Sequence, residues 1–221
     1  RKLKECGVEH IFAEAVGSCV DISTTVINPL LRRDDVDFEN LTFSVLCDST
    51  LLENYISERP FSWSNPALSY LFSRQLAECP TLVINKIDLI EGNQKKFIRK
   101  INDKFPDQTL ITQDSRMATG VKNWLHTLTH TTGNKTPLPG VEIDYDIYGT
   151  AEAALSWNDR EIQFTGTNNC AIDVVRDLLS YIMDKINQLN IIAGHIKFFI
   201  RSHSYDAKIS MTANDLAETN K

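Results

Sequence analysis

The chain has 221 residues, 42% of them hydrophobic and 24% charged, which is room for one large domain or two modest ones of ordinary globular composition. A formal charge of −6 argues against a nucleic-acid surface, which needs a basic face. No apolar run approaches the roughly 20 residues of a membrane span, and no signal peptide is visible. The five cysteines, Cys6, Cys19, Cys47, Cys79 and Cys170, are scattered and never form Cys-x-x-Cys. That fits buried thiols in a reducing cytoplasm better than disulfides or a zinc site.

Arg1–Cys6 reads as the tail of a helix already under way, so the chain is expected to be a fragment missing its amino-terminal part. Glu9–Val16 reads as a strand ending in Glu14-Ala15-Val16-Gly17. Asp21 is a candidate N-cap for a helix over Ile22–Leu31. A polar loop, Arg32–Asn40, leads to a second strand, Leu41–Cys47, with Asp48 at its end. Asn65–Glu78 has helical spacing at Leu68, Leu71, Phe72 and Leu76 and stops before Pro80. Thr81–Leu89 opens on a continuous apolar run, as in a parallel strand buried on both faces. A basic helix over Gln94–Phe105, a strand over Gln108–Ile111 and a helix over Val121–Thr129 complete the unit.

This alternation predicts an α/β fold with a doubly wound parallel sheet, helices on both faces, over residues 1–132. Thr131–Gly140 breaks the pattern, and 133–140 is the expected linker. Beyond it, Val141–Tyr148, Ala153–Trp157 and Glu161–Thr165 read as strands, the last two as a hairpin around Asn158-Asp159-Arg160. Cys170–Leu189 is a long helix with a stripe at Val174, Val175, Leu178, Leu179, Ile182 and Ile186. His195–Arg201 and Lys208–Thr212 are closing strands, so 141–221 is expected to be a smaller α+β domain with a frayed polar tail, Ala213–Lys221.

In a parallel sheet, ligands bind at the carboxyl ends of the strands, where Asn85, Lys86 and Asp88 would lie. The triplet Asn-Lys-x-Asp reads as a guanine clamp. An ionised Asp88 is acceptor-only and suits the N1–H and N2–H donors of guanine, at roughly 1.5–3 kcal/mol per charge-assisted bond. Adenine offers no such donor pair. Asn85 would brace neighbouring loops and the Lys86 stem would lie along the ring. The bland alternative is a helix start, with Asp88 as N-cap and Lys86 solvated; a preceding buried strand shifts the balance to the clamp. Glu14-x-x-Gly17 after a strand allows a carboxylate to hold Mg²⁺, directly or through water, and a backbone N–H to approach a γ-phosphate. Strand-ending Glu and turn Gly are common, and the order of the two motifs gives the pair its meaning.

With these residues in view the sequence resembles a known family. Phe12-Ala13-Glu14-Ala15-Val16-Gly17-Ser18-Cys19-Val20-Asp21 resembles the Glu-x-x-Gly segment of CobW-type GTPases, the metallochaperone group that also holds UreG and HypB. Arg74-Gln75-Leu76-Ala77-Glu78 leading into Leu82–Leu89 is similar to that family's guanine motif, and Ser115–Leu125 to its later base-contacting loop. The resemblance covers about residues 1–130. It implies GTP and Mg²⁺ as cofactors, Glu14 as organiser of Mg²⁺ and water, Gly17 as γ-phosphate sensor, Asn85, Lys86 and Asp88 as guanine ligands, and Ser115 near O6. It also implies a cytoplasmic protein that delivers Zn, Co or a cobalamin-type cofactor to a client metalloprotein; a homodimer is compatible with it. Two of the family's features are missing from these 221 residues: a Gly-x-x-x-x-Gly-Lys-Ser/Thr phosphate loop and a Cys-x-Cys-Cys metal motif. Weak nucleotide binding and little turnover are therefore expected.

A reading from another class is a non-catalytic docking scaffold for a client metalloenzyme. In the second domain, Asp144 and Asp146 fall on one face of an expected strand, a pattern that suits a cation but is more often a solvated face. His195 and Cys19 are candidate ligands that are more often simply packed.

Overall fold

The computed structural model describes residues 7–8, 10–33, 41–59, 65–130, 137–155, 158–164, 171–189, 195–201 and 206–212. They fall in two compact units, Arg1–Trp157 and Asn158–Lys221.

The first unit is built on a parallel sheet of three strands in the order β1-β2-β3: β1 is Ser44–Asp48, β2 Thr81–Asn85 and β3 Thr109–Thr112. β2 is central, as its continuous apolarity requires. Leu82, Val83 and Ile84 are fully buried although successive side chains point to opposite faces, so both faces are covered. Each such side chain contributes about 1.5–3 kcal/mol. Leu82 and Ile84 join Cys47, Leu52, Leu76, Phe97 and Ile101 in the main core.

The helices follow from local signals. A π-helical turn, Ser23–Ile27, runs into α1, Asn28–Leu31. α2, Ser49–Ile56, starts on Asp48, whose side chain accepts from the Thr50 N–H at 2.8 Å. α3, Pro66–Glu78, has Asn65 as N-cap and proline at its first position. α4, Gln94–Lys104, buries Phe97 and Ile101, one turn apart, with Asn93 as N-cap. α5 is Ala118–His130 and α6 is Tyr145–Ala154. α6 packs on α3, where Ala151 joins Ala67, Leu68 and Leu71 in a second cluster.

Several expectations change. Residues 10–16 form no strand; Glu9 lies outside the described residues. Ile11, Phe12 and Val16 are exposed, so the apolar side chains of this segment are not covered by a sheet. Asp21 does not cap the helix it precedes. It takes a positive φ of 59°, and the buried Glu78 carboxylate accepts the Ser23 N–H instead. Asp21 contributes its carbonyl, which accepts from Thr25 Oγ1 at 2.6 Å. α2 fills a stretch for which no element was expected, with Leu51, Leu52, Tyr55 and Ile56 spaced for one helical face.

The expected strand Val141–Tyr148 is instead a loop followed by α6. Asp144 is the N-cap, accepting from the Asp146 and Ile147 N–H groups at 3.0 and 3.1 Å. The period-2 pattern is overridden by this cap and the helix-forming Ala-Glu-Ala-Ala that follows. Asp144 and Asp146 therefore share a helix start, not a strand face. Ala153 and Ala154 end α6 where a further strand was expected, while Trp157 lies outside the described residues. Of the linker, 131–136 lies outside the described residues. Leu138 exchanges two hydrogen bonds with the Asn28 side chain, at 2.9 and 2.8 Å, so 137–140 is held against α1.

In the second unit, residues 158–164 form no hairpin; Thr165 lies outside the described residues. α7 is Ala171–Gln188. β4, His195–Arg201, and β5, Asp206–Thr212, pair antiparallel from His195↔Thr212 to Arg201↔Asp206. Ile196, Phe198 and Ile200 alternate half-buried with exposed neighbours, as one covered sheet face demands. Of the α7 stripe, Val174 is exposed and the others are half-buried. The five strands expected beyond the linker reduce to two among the described residues. Arg1–Cys6 and Ala213–Lys221 lie outside them.

Candidate functional site

Parallel pairing aligns the carboxyl ends of the strands: Asp48 is the register partner of Asn85, and Ile84 of Thr112. The chain leaves β2 through Lys86, whose φ of 57° turns it sharply into the 3₁₀ turn Ile87–Leu89. It leaves β3 through Gln113, whose N–H donates to the Ile84 carbonyl at 2.9 Å, while its carbonyl accepts from Ile87 N at 3.2 Å. These two exits place Asn85, Lys86, Asp88, Asp114, Ser115 and Arg116 at one edge.

Asn85 Oδ1 accepts from Ser115 N at 3.0 Å and from Ser115 Oγ at 2.8 Å. Gln113 Nε2 donates to the same Ser115 Oγ at 2.9 Å. Three residues from two strand ends thus lock the loop before α5. Gln113 is buried, and its Oε1 finds no hydrogen-bond partner among the described residues.

The Lys86 side chain turns to Asp48, Nζ to Oδ2 at 2.8 Å. Burial alone would raise the Asp48 carboxyl, but the bonds from Lys86 and Thr50 outweigh it and hold the group below its ordinary value. Ser49 Oγ donates to the Lys86 carbonyl at 2.7 Å, fixing the turn from below.

Asp88 stands on the 3₁₀ turn with its Oδ2 accepting from Arg116 Nη2 at 2.6 Å. The same Nη2 lies 2.9 Å from Asp114 Oδ2, and Arg116 Nε is 3.0 Å from Asp114 Oδ1. The bonds from Arg116 hold the Asp114 carboxyl below its ordinary range.

Asn85, Lys86, Asp88 and Ser115 therefore lie together at the carboxyl end of β2, Asn85 and Ser115 in direct contact. Glu14 and Gly17 lie on a different segment. Glu14 is in exposed chain without regular structure, and the Gly17 and Cys19 carbonyls accept from Gln75 Nε2 of α3 at 2.8 and 3.1 Å. Asp48, Gln113, Asp114 and Arg116 were not anticipated as site residues. Asp48 was legible as a strand-ending acid, and Arg116 as a charge inside the Ser115 loop. Pairing between loops 28 residues apart is not written locally in the chain. A cavity of ≈ 190 Å³, lined by Ile56, Ile90, Phe97 and Lys100 among others, includes none of Asn85, Lys86, Asp88 and Ser115.

His195 Nε2 lies 2.6 Å from Ser210 Oγ on the paired strand. Among the described residues no three His, Cys, Asp or Glu side chains form a group suited to a metal ion, and no helix is long and apolar enough to cross a membrane. Compared with family models, curated proteins and solved structures, the chain matches none.

Proposed function

We propose that this chain carries the guanine-selective part of a GTPase resembling the CobW-type metallochaperones. The observation that supports the reading most is the bracing of the Ser115 loop by Asn85, beside the Asp88 carboxylate, at the carboxyl end of a central parallel strand. Such bracing holds the Ser115 loop in advance, so little of its ordering cost remains when a base binds. Asp88 supplies acceptors for N1–H and N2–H, and the Ser115 loop faces O6. In this reading GTP is the nucleotide, delivery of Zn, Co or a cobalamin-type cofactor to a client metalloprotein is the task, and the cytoplasm is the compartment.

Mg²⁺ takes near-octahedral oxygen ligands, and Glu14 on an exposed stretch is a single carboxylate. The described residues do not make up a site for the ion. The chain's own contribution is selection of the base. Fluorescence titration with labelled GDP and ADP tests it: the wild type should bind GDP weakly but in preference to ADP, and Asp88→Asn should remove the preference. Equal loss for both nucleotides would rule out the clamp.

A docking scaffold is the second reading, and a specific observation favours it: Ile11 and Phe12 are 57% and 66% exposed, side by side in one segment. It predicts no nucleotide preference at all.

A further inference from the structure

We propose that Arg116 is an affinity-determining latch of this site, a side chain that holds the Asp88 carboxylate and must be displaced when a base binds. The inference rests on the guanine reading above and adds a residue that the Asn-Lys-x-Asp motif does not contain. Its basis is one guanidinium shared between two carboxylates: Nη2 is 2.6 Å from Asp88 Oδ2 and 2.9 Å from Asp114 Oδ2, with Nε 3.0 Å from Asp114 Oδ1.

The two partners are not equivalent. Asp114 holds Arg116 through both carboxylate oxygens, accepts from its backbone N–H at 2.9 Å, and is only 16% exposed in its side chain. Asp88 holds it through one oxygen. Arg116 can therefore release Asp88 while staying paired with Asp114, and neither charge is stranded. Guanine's N1–H and N2–H are the donors that replace the guanidinium on Asp88. Adenine has no equivalent pair and leaves the latch shut, so the latch lowers affinity for GDP and leaves affinity for ADP untouched. The Arg116 side chain is 73% exposed, which makes the latch weak and sensitive to salt.

The test is GDP and ADP titration of the wild type, Arg116→Ala and Asp88→Asn at low and high ionic strength. Arg116→Ala should bind GDP about two- to fivefold more tightly at low salt, the scale of one exposed charge pair, and the gain should shrink near 1 M salt. ADP affinity should not change. If the wild type prefers GDP through Asp88 but Arg116→Ala binds it equally or more weakly, the latch is overturned while the clamp stands. If neither the wild type nor Arg116→Ala prefers GDP, the guanine reading fails and the latch with it. Arg116 is exposed at a loop, so circular dichroism of the variant should match the wild type.

Discussion

Lys86 Nζ bonds Asp48 Oδ2 at 2.8 Å, joining the residue after β2 to the last residue of β1. Asp48 also starts α2 through Thr50, so one carboxylate serves a sheet edge and a helix end. Asparagine is as good an N-cap as aspartate, so Asp48→Asn removes the ion pair and keeps the cap. It should cost up to about 1 kcal/mol at neutral pH. Asp48→Ala should cost about 1 kcal/mol more. The folded carboxyl titrates below its unfolded value. Its stabilisation is therefore complete at neutral pH and disappears as pH falls through the folded value. Urea unfolding of the wild type and Asp48→Asn should differ at pH 7 and converge in acid. A gap that persists in acid would mean the charge pair is not its source.

Asn85→Ala removes the acceptor of both Ser115 bonds and should release the loop before α5. Two partly exposed hydrogen bonds at about 0.5–1.5 kcal/mol each set the upper range of the stability loss. Ser115→Ala removes only the hydroxyl donor and keeps the backbone N–H bond at 3.0 Å, so its effect should be about half. Native-state amide exchange at Ser115 is the direct readout: faster in Asn85→Ala, close to wild type in Ser115→Ala. Unchanged protection in Asn85→Ala would mean the loop is held by something else.

Gly120 lies on α5, where alanine ordinarily favours a helix by up to about 1 kcal/mol. Here an added Cβ would sit 2.9 Å from Gln113 Cβ and 3.4 Å from the Asp114 carbonyl oxygen. Gln113 is buried, so the start of α5 must move away from the end of β3. Gly120→Ala should therefore destabilise by about 1–3 kcal/mol, the range for overpacking. Thermal unfolding decides the sign, and a stabilised variant would place α5 farther from Gln113.

The parallel core was legible because β2 carries its burial on its face: three consecutive apolar residues, bounded by turns, allow little but an interior strand. α3 was legible from its helical spacing and the Pro80 that follows it, and α4 as a basic helix after the central strand. The segment around Glu14 was not, because an apolar stretch reads as a strand whether or not a neighbour exists to pair with it. Asp144 was misplaced for the converse reason: alternation over a few residues matches a strand by chance, and a single capping side chain decides against it. At the candidate site, Asn85, Lys86, Asp88 and Ser115 were singled out by motif. Their tertiary partners Asp48, Gln113 and Arg116 come from the ends of other strands and the loop before α5, and no local pattern writes the pairing.

Cys47 of β1 and Cys79, which precedes β2, are both buried in the main core. Burial pushes the Cys79 thiol up to about 12 and raises Cys47 further. Since the thiolate is the nucleophile, neither should react with iodoacetamide at pH 8 while the chain is folded. Peptide mapping by mass spectrometry should find both at least about a hundredfold slower to label than in urea, and the two should become reactive together, because they share one cluster and open with it. Cys79 reacting early with Cys47 still protected would place the start of β2 outside the cooperative core. Rapid labelling of Cys47 would mean that β1 is not packed on β2, and the edge at which Asp48 meets Lys86 would then lack its support.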